Sequence, residues 1–375
     1  MRKVLITGGA GFIGSNFVHY WHARHPQDSI VVLDKLTYAG NPANLEDLWD
    51  TPRFTFVQGD ICESALVVRL LREHAIDTIV NFAAESHVDR SIAGPQAFVQ
   101  TNIVGTHVLL ESARNAWLSP GGPATEHRFH QVSTDEVFGS LREGDAPFVE
   151  TAAYAPSSPY AASKAAADHL VRAYHRTYGL NASISNCSNN FGPYHFPEKL
   201  VPLAILNLLQ GRPLPLYGDG RNIRDWLYVR DHCHGIERVL EQGSAGGYYN
   251  IGGNNEWSNI ELVQKLCNLM DGLFEADSAL GRRFPSAPPA RREACASLIS
   301  FVDDRPGHDF RYALDISKSA ADLGYAPRES FETALRETIE WYLENERWWR
   351  PLLDRNYLLW IERQYGVRAG ASSPC

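Results

Sequence analysis

An α/β protein built on a doubly wound parallel sheet, with a smaller α/β domain after it, is what this sequence predicts on three observations. Apolar, β-branched runs at residues 4–7, 30–33, 54–58, 78–82 and 129–132 alternate with helix-compatible stretches, the pattern that builds parallel sheets from strand–helix–strand units. The first run passes straight into Gly8-Gly9-Ala10-Gly11-Phe12-Ile13-Gly14 and then into a helical pattern over 15–23. At 375 residues the chain also exceeds what one hydrophobic core serves. Residues 1–187 are therefore expected to form the first domain, and 188–367 mainly the second, with some of that chain returning to the first.

The glycine turn is the first element with chemistry in it. Gly8, Gly11 and Gly14 let the backbone approach a pyrophosphate resting on the helix N-terminus, where unpaired N–H groups and the dipole favour an anion. Alone, this spacing is a weak signal. It gains weight from the second run, which ends in Asp34 about 20 residues further on, where a carboxylate can hold a ribose hydroxyl pair and repels a 2′-phosphate. NAD is thus expected over NADP. The third run ends at Gly59-Asp60-Ile61, either a contact for the adenine edge or a simple turn. The fourth ends in Ala83-Ala84-Glu85-Ser86-His87, small residues across which a cofactor can lie, and in such sheets ligands bind outside the carboxyl ends of the strands.

The fifth run ends in Thr134-Asp135-Glu136, three consecutive side chains able to donate or accept protons. Adjacent carboxyls in a poorly solvated cleft drift apart in pKa, which yields one acid and one base. In isolation, a polar cap opening a turn with Glu136 solvated would look the same. A loop rich in Pro, Gly and charge follows from 140 to 156. Then comes Tyr160-Ala161-Ala162-Ser163-Lys164, whose spacing of four puts phenol and ammonium on one helical face. A cation beside a phenol lowers its pKa, so Tyr160 is expected to serve as a base near neutrality.

Charge and composition narrow the partners. Lys plus Arg number 35 against 44 Asp plus Glu, a formal charge of −9, which argues against nucleic acid and requires local basic groups for any anionic ligand. No stretch is long or apolar enough to span a bilayer, and Met1-Arg2-Lys3 runs directly into a strand with no room for a signal peptide's apolar core, so no membrane partner and a cytoplasmic location are expected. The six cysteines are scattered without paired spacing, as reduced structural thiols would be. Asp231-His232-Cys233-His234 lacks a second ligand pair and reads as the start of a helix, so no metal is expected.

With these motifs in place, the sequence resembles the extended short-chain dehydrogenases/reductases and, among them, the dTDP-glucose 4,6-dehydratases. The likeness runs through 7–15, Asp34-Lys35-Leu36-Thr37-Tyr38-Ala39-Gly40, 83–91 and the Thr134-Asp135-Glu136 triplet, the most specific of these because related epimerases and decarboxylases have no comparable Asp-Glu pair. In the second half it covers Asn189-Asn190-Phe191-Gly192, Glu198-Lys199-Leu200, Pro213-Leu214-Pro215-Leu216-Tyr217 and Asn222-Ile223-Arg224-Asp225-Trp226. The resemblance implies a Rossmann-like fold with NAD held by Gly8, Gly11, Phe12, Ile13, Gly14, Asp34, Lys35, Thr37, Asp60, Ile61, Ala83, Ala84, Ser86, Thr101, Tyr160, Lys164 and Asn190. It places a dTDP-glucose, or a close pyrimidine nucleotide sugar, on Ser86, His87, Thr134, Asn189, Glu198, Lys199, Leu200, Pro215, Tyr217, Arg224, Asn259, Asp303, Arg305, His308 and Tyr365.

Some of these assignments also make physical sense. Arg224 and Arg305 supply charge-assisted donors for a diphosphate, although surface ion pairing with neighbouring aspartates would look alike. Pro213 to Tyr217 offers an apolar edge for a pyrimidine, or a buried turn. Two departures from the family stand out. Phe138 occupies a position more often Tyr, a change expected to alter packing behind the triplet. Residues 271–300, with Arg282-Arg283 and Arg291-Arg292, read as an extended, solvated loop insertion, and 368–375 as a disordered tail.

By resemblance, the chemistry is C4 oxidation, loss of water across C5 and C6, and hydride return to C6. Tyr160 takes the C4 hydroxyl proton with Lys164 lowering its pKa and Thr134 holding the same oxygen. Glu136 removes the C5 proton and Asp135, protonated, releases the C6 hydroxyl as water. A 4-epimerase or a UDP-glucuronate decarboxylase would not need an acid at C6, and a non-catalytic NAD-binding regulator would not need the whole set. A homodimer is implied through helices at about 96–117 and 159–178, where Val99, Ile103, Val108 and Leu109 have helical spacing, a spacing that also fits residues facing the sheet.

Overall fold

The computed structural model describes residues 1–119 and 126–366, and the tail at 368–375 lies outside them. Seven strands form the main sheet: β1 (Lys3–Thr7), β2 (Ser29–Asp34), β3 (Phe54–Gln58), β4 (Thr78–Asn81), β5 (Arg128–Thr134), β6 (Ala182–Cys187) and β10 (Tyr248–Ile251). Between β6 and β10 come β7 (Asn189–Phe191), β8 (Leu214–Tyr217) and β9 (Ile223–Tyr228). The order across the main sheet is β10-β6-β5-β4-β1-β2-β3, and every neighbouring pair is parallel. The chain winds from β1 out to β3, then starts again at β4 on the other side of β1. A crevice opens between the carboxyl ends of β1 and β4, the switch point where ligands bind in such sheets.

The central strands are covered on both faces, as unbroken apolar runs require. Leu5, Val31, Leu33, Ile79 and Phe129 pack into one buried cluster, and Val4, Ile6, Val32, Val80 and Val132 into another. A strand period of two sends adjacent residues to opposite faces. The helix Val229–Gln242 completes one layer by closing Cys233, Ile236 and Leu240 against Phe17 and Trp21 of the first helix, Phe12–Arg24. It contains the Asp231–His234 run, where His232 is buried with its Nδ1 2.9 Å from Asn190 Oδ1.

β9 centres a smaller sheet with β7, β11 (Glu256–Ser258) and β13 (Arg311–Tyr312), while β8 pairs in parallel with β12 (Ile299–Val302). Helices Leu200–Gln210, Asn259–Ala276 and Phe331–Glu344 close its core around Leu206, Leu214, Trp226, Leu266 and Leu335.

The stretch 271–300 is not an extended loop. The helix Asn259–Ala276 runs into it, Ser278–Arg283 forms another helix, and Pro288–Arg291 and Cys295–Leu298 are 3₁₀ turns. Leu280, Phe284, Ala287 and Cys295 are between 0% and 5% exposed and close on Met270 and Phe274, so a few separated apolar residues anchor a segment that is polar on average. Arg283 is also held, 2.8 Å from Glu346. The five cysteines among the described residues are free thiols, and no helix among those residues is long and apolar enough to cross a membrane.

Candidate active site

β1 ends in the glycine turn, and the turn's shape excludes side chains. Gly8 has φ +69°, and a Cβ there would lie 2.7 Å from the Ala83 nitrogen at the end of β4; one on Gly14 would run into the Gly8 carbonyl oxygen. The helix Phe12–Arg24 that follows has Gly11 at its N-cap with no side-chain cap, so its first N–H groups face the crevice unpaired by side chains. At the end of β2, Asp34 accepts from Ala10 N at 2.9 Å and Leu36 N at 2.8 Å, which fixes its carboxylate on the rim of the turn. Lys35 joins Asp60 at 2.7 Å.

One cavity of about 410 Å³ runs from this turn across the strand ends to the smaller sheet, within the range of small-molecule sites. Every expected cofactor and substrate residue lines it except Asp303. That aspartate is exposed just after β12, and the turn at Pro306-Gly307, with Gly307 at φ +66°, brings Arg305 and His308 to the wall instead. Its neighbour Asp304 accepts from the Arg305 backbone at 2.8 Å and holds His308 Nδ1 at 2.6 Å.

At the centre stands the end of β5. Thr134 is the N-cap of a 3₁₀ turn, Asp135–Phe138, so the capping reading of this triplet is correct as far as it goes. Glu136 is not simply solvated, however. Asp135 is buried, with Oδ2 unpartnered among the described residues and Oδ1 3.3 Å from the Thr134 hydroxyl. Burial holds the Asp135 carboxyl well above the usual carboxylate range, and Glu136 and Asp225 add to it. Glu136 is also raised by burial, but Arg305, Lys199 and Arg224 pull it back. Both carboxyls are thus raised by burial, and the nearby cations separate them by acting more on Glu136. Phe138 packs behind them, its ring 5.1 Å from Phe148 and 5.4 Å from Tyr154.

Tyr160 and Lys164 reach the same point from the helix Pro159–Tyr178, capped by Ser158. The expected lowering of the phenol by the lysine is not what this arrangement gives. Burial, then Glu136 and Cys187, push Tyr160 up, and a hydrogen bond with Thr134 acts the other way. Lys164 directs its ammonium to the Val132 carbonyl at 2.7 Å.

The opposite wall is basic and tied to backbone. Arg224 donates to the carbonyls of Ile223 at 2.7 Å, Asp309 at 2.9 Å and Phe310 at 3.2 Å, and its guanidinium lies 4.4 Å from the centre of the Tyr312 ring. Arg305 stands 3.6 Å from Asp89, and its Nε is buried without a partner among the described residues. Glu198 accepts from Tyr38 at 2.9 Å and Arg90 at 3.2 Å, and Lys199 donates to the Ser86 carbonyl at 3.2 Å. In β8 the alternation bears on a double reading: Leu214 and Leu216 are buried in the core, Pro215 and Tyr217 are partly exposed and line the cavity, and Leu216 also reaches its wall. Asp89, Cys187 and Tyr312 also line or flank this space and escaped sequence reading, because only long-range contacts bring them there.

The sequence model of the GDP-mannose 4,6 dehydratase family matches residues 5–338. A dTDP-glucose 4,6-dehydratase of Neisseria meningitidis serogroup B is 52% identical over 362 residues, covering 96% of this chain and 98% of its own. One from Xanthomonas campestris pv. campestris strain B100 is 53% identical, covering 96% and 98%. Among solved structures, the Streptomyces venezuelae dTDP-glucose 4,6-dehydratase with NAD bound is 47% identical, with a TM-score of 0.83 over 94% of this chain and 100% of that one. A Thermotoga maritima UDP-glucose 4-epimerase, at 24% identity and TM-score 0.77 over 92% of this chain, shares the fold alone. With half of its residues identical to these relatives over nearly its whole length, the chain belongs to the dTDP-glucose 4,6-dehydratase family.

Proposed function

We propose that this protein removes water from dTDP-glucose to give dTDP-4-keto-6-deoxyglucose, with an NAD that is regenerated in each turnover. The observation that carries the reading is the Asp135–Glu136 pair: a buried, proton-holding carboxyl with one oxygen unpartnered among the described residues, beside a carboxyl flanked by cations.

The residues present fit NAD. A cradle closed to any Cβ at Gly8 and Gly14, the uncapped helix start after Gly11, and Asp34 at the end of β2 suit a pyrophosphate and an unphosphorylated ribose. Phe12, Ile13, Lys35, Thr37, Asp60, Ile61, Ala83, Ala84, Ser86, Thr101 and Asn190 would hold the rest. Bound there, NAD supplies a hydride acceptor at C4, a hydride donor at C6 and a positive charge that favours the phenolate of Tyr160.

The protein's own groups move the protons. Tyr160 accepts the C4 hydroxyl proton, and Thr134 holds that oxygen. The C4 ketone makes the C5 proton acidic, and Glu136, kept toward its ionised form by Arg305, Lys199 and Arg224, removes it. Asp135 gives its proton to the departing C6 hydroxyl, which leaves as water. Glu136 then returns its proton to C5. Over one turnover the phenol gains a proton and Asp135 loses one, so a transfer between them resets the site. Arg224, Arg305, Asn259 and Tyr365 would face the diphosphate, and Pro215 and Tyr217 the pyrimidine. The Nε of Arg305, buried without a partner among the described residues, supports that placement.

We further propose a homodimer joined through the helices near 96–117 and 159–178, where Val99 and Val104 stand 49% and 37% exposed. Leu109, expected on that face, packs fully buried against the sheet instead. Free thiols and a dinucleotide cofactor suit the cytoplasm. The test is turnover of dTDP-glucose by purified protein with no added cofactor. Appearance of the 4-keto-6-deoxy product supports the reading, and inertness even with added NAD overturns it.

A further inference from the structure

One buried carboxylate close to the site has no part in the chemistry above. Asp168 is 0% exposed and does not line the cavity, yet it stands four residues after Lys164 on the same face of the helix Pro159–Tyr178. Its Oδ2 accepts from the Ser133 hydroxyl at 2.7 Å and the Tyr154 hydroxyl at 2.9 Å. Its Oδ1 is buried without a partner among the described residues. Tyr154 in turn meets the Tyr248 hydroxyl, which accepts from Asn186 Nδ2 at 2.7 Å. Arg172 lies 4.3 Å from the Tyr248 ring centre and 5.3 Å from that of Tyr154. The network joins four elements beneath the end of β5: the helix of Tyr160, the loop before it, β6 and β10.

A carboxylate so completely removed from water is an expensive group to retain for shape alone, since an amide of the same size could hold two hydroxyls. What an amide lacks is charge. Lys164 is 4% exposed and its ammonium has the Val132 carbonyl, a neutral group, as its close partner. A buried ammonium facing only a carbonyl tends to shed its proton.

We propose that Asp168 is a positioning residue for the reaction, the buried counter-charge that keeps Lys164 protonated and ties it, through Ser133, to the strand end carrying Thr134, Asp135 and Glu136. The groups facing Lys164 are Asp168 on its own helix, Val132 on β5 and Cys187 on β6. Those facing Asp168 are Lys164 and Arg172 on the helix, Ser133 on β5, Tyr154 on the loop and Tyr248 on β10. Burial depresses the Lys164 ammonium while Asp168 opposes that fall, and Lys164 in turn lowers the Asp168 carboxyl, which burial lifts to about 6. Above that value the carboxylate is charged and the lysine is held in its charged form.

The inference rests on Lys164 belonging to the catalytic set, and its test separates the two. The chain contains six lysines, Lys3, Lys35, Lys164, Lys199, Lys265 and Lys318, so side-chain ¹³C/¹⁵N-lysine NMR of the holoenzyme gives few signals, and Lys164→Met assigns the one of interest. In Asp168→Asn, which keeps an oxygen for Ser133 and Tyr154, Lys164 should titrate at least one pH unit lower than in the wild type. The alkaline limb of kcat for dTDP-glucose should move down with it, with KM changed less than twofold. Asp168→Glu should recover part of both shifts.

If Asp168→Asn does not fold, the reciprocal titration decides: carboxyl NMR of Lys164→Met should show Asp168 titrating higher than in wild type. An unchanged lysine titration in Asp168→Asn, or an unchanged carboxyl titration in Lys164→Met, overturns the proposal. Failure of the functional reading would show differently, as wild-type protein that does not turn over dTDP-glucose.

Discussion

The two sides of the cleft are built by opposite means. On the proposed cofactor side, the pyrophosphate cradle is shaped mainly at one strand–turn–helix junction, Gly8 to Gly14, backed by Ala83 after β4, with the Ala10 N–H donating to Asp34. On the proposed sugar side, the wall is assembled from Asp89, Glu198, Arg224, Arg305 and Tyr312, residues far apart in the chain that meet only after folding. The first is a shape that forbids side chains. The second is a balance of buried charge: burial raises both carboxyls at the end of β5, and its cations pull Glu136 back. A shape made locally should fail all at once when altered, whereas distributed charge should fail by degrees.

Gly14→Ala offers the sharpest break. The added methyl meets the Gly8 carbonyl, a backbone atom that cannot step aside, so the protein should purify without NAD and without measurable turnover, as absorbance of extracted cofactor and a product assay would reveal. Retention of cofactor would mean that the turn tolerates a side chain and that the contrast is misdrawn. Next comes Asp135→Asn. Loss of a general acid should slow formation of the 4-keto-6-deoxy product by about 10²–10⁴-fold while C4 oxidation persists, seen as reduced cofactor accumulating in a stopped-flow trace. Product formed at the wild-type rate would remove Asp135 from its assigned role.

Arg305→Ala should do less. Losing one charge-assisted donor corresponds to about 1.5–3 kcal/mol, or roughly 10–100-fold in KM for dTDP-glucose with a smaller change in kcat. The acid limb of kcat should move as well, because without that cation Glu136 holds its proton to higher pH and ionises later. In the wild type the sign runs the same way: activity rises as Glu136 loses its proton, above the ordinary carboxylate range, and falls at higher pH as the first of Asp135, which is raised, and Lys164, which is lowered, loses its own. A profile whose acid limb sat at the ordinary glutamate value would contradict the raised Glu136. Smallest of all for catalysis is Leu280→Ala in the 271–300 segment. It should lower stability by about 2–5 kcal/mol in a denaturant titration and leave KM and kcat within twofold. A matching loss of activity would show that the segment does more than pack.

The same division explains what the sequence made legible. The strand ends, glycine turn, Asp34 and the Thr134–Glu136 triplet could be read because each depends on neighbours in the chain. The run from Pro213 to Tyr217 stayed open between an apolar edge and a buried turn, and only the strand β8 in the structure places Pro215 and Tyr217 on one face. The fate of Asp303 could not be read, because the turn at Pro306-Gly307 decides which residues of that run face inward. Nor could the direction of the Tyr160 shift, which comes from burial first and then from Glu136 and Cys187 across the site, rather than from the lysine one turn away. The 271–300 segment was misread for a related reason. Its average is polar, and the packing of Leu280, Phe284, Ala287 and Cys295 back onto Met270 and Phe274 of the preceding helix makes it solid.

The central claim is that one cofactor oxidises C4 and then reduces C6 inside a closed site. Incubating the purified protein, with no added NAD, with dTDP-glucose deuterated at C4 and locating the label by NMR and mass spectrometry tests it most directly. Deuterium at C6 of a 4-keto-6-deoxy product is the result expected. Deuterium still at C4 of an epimerised sugar, or lost to solvent, would contradict it.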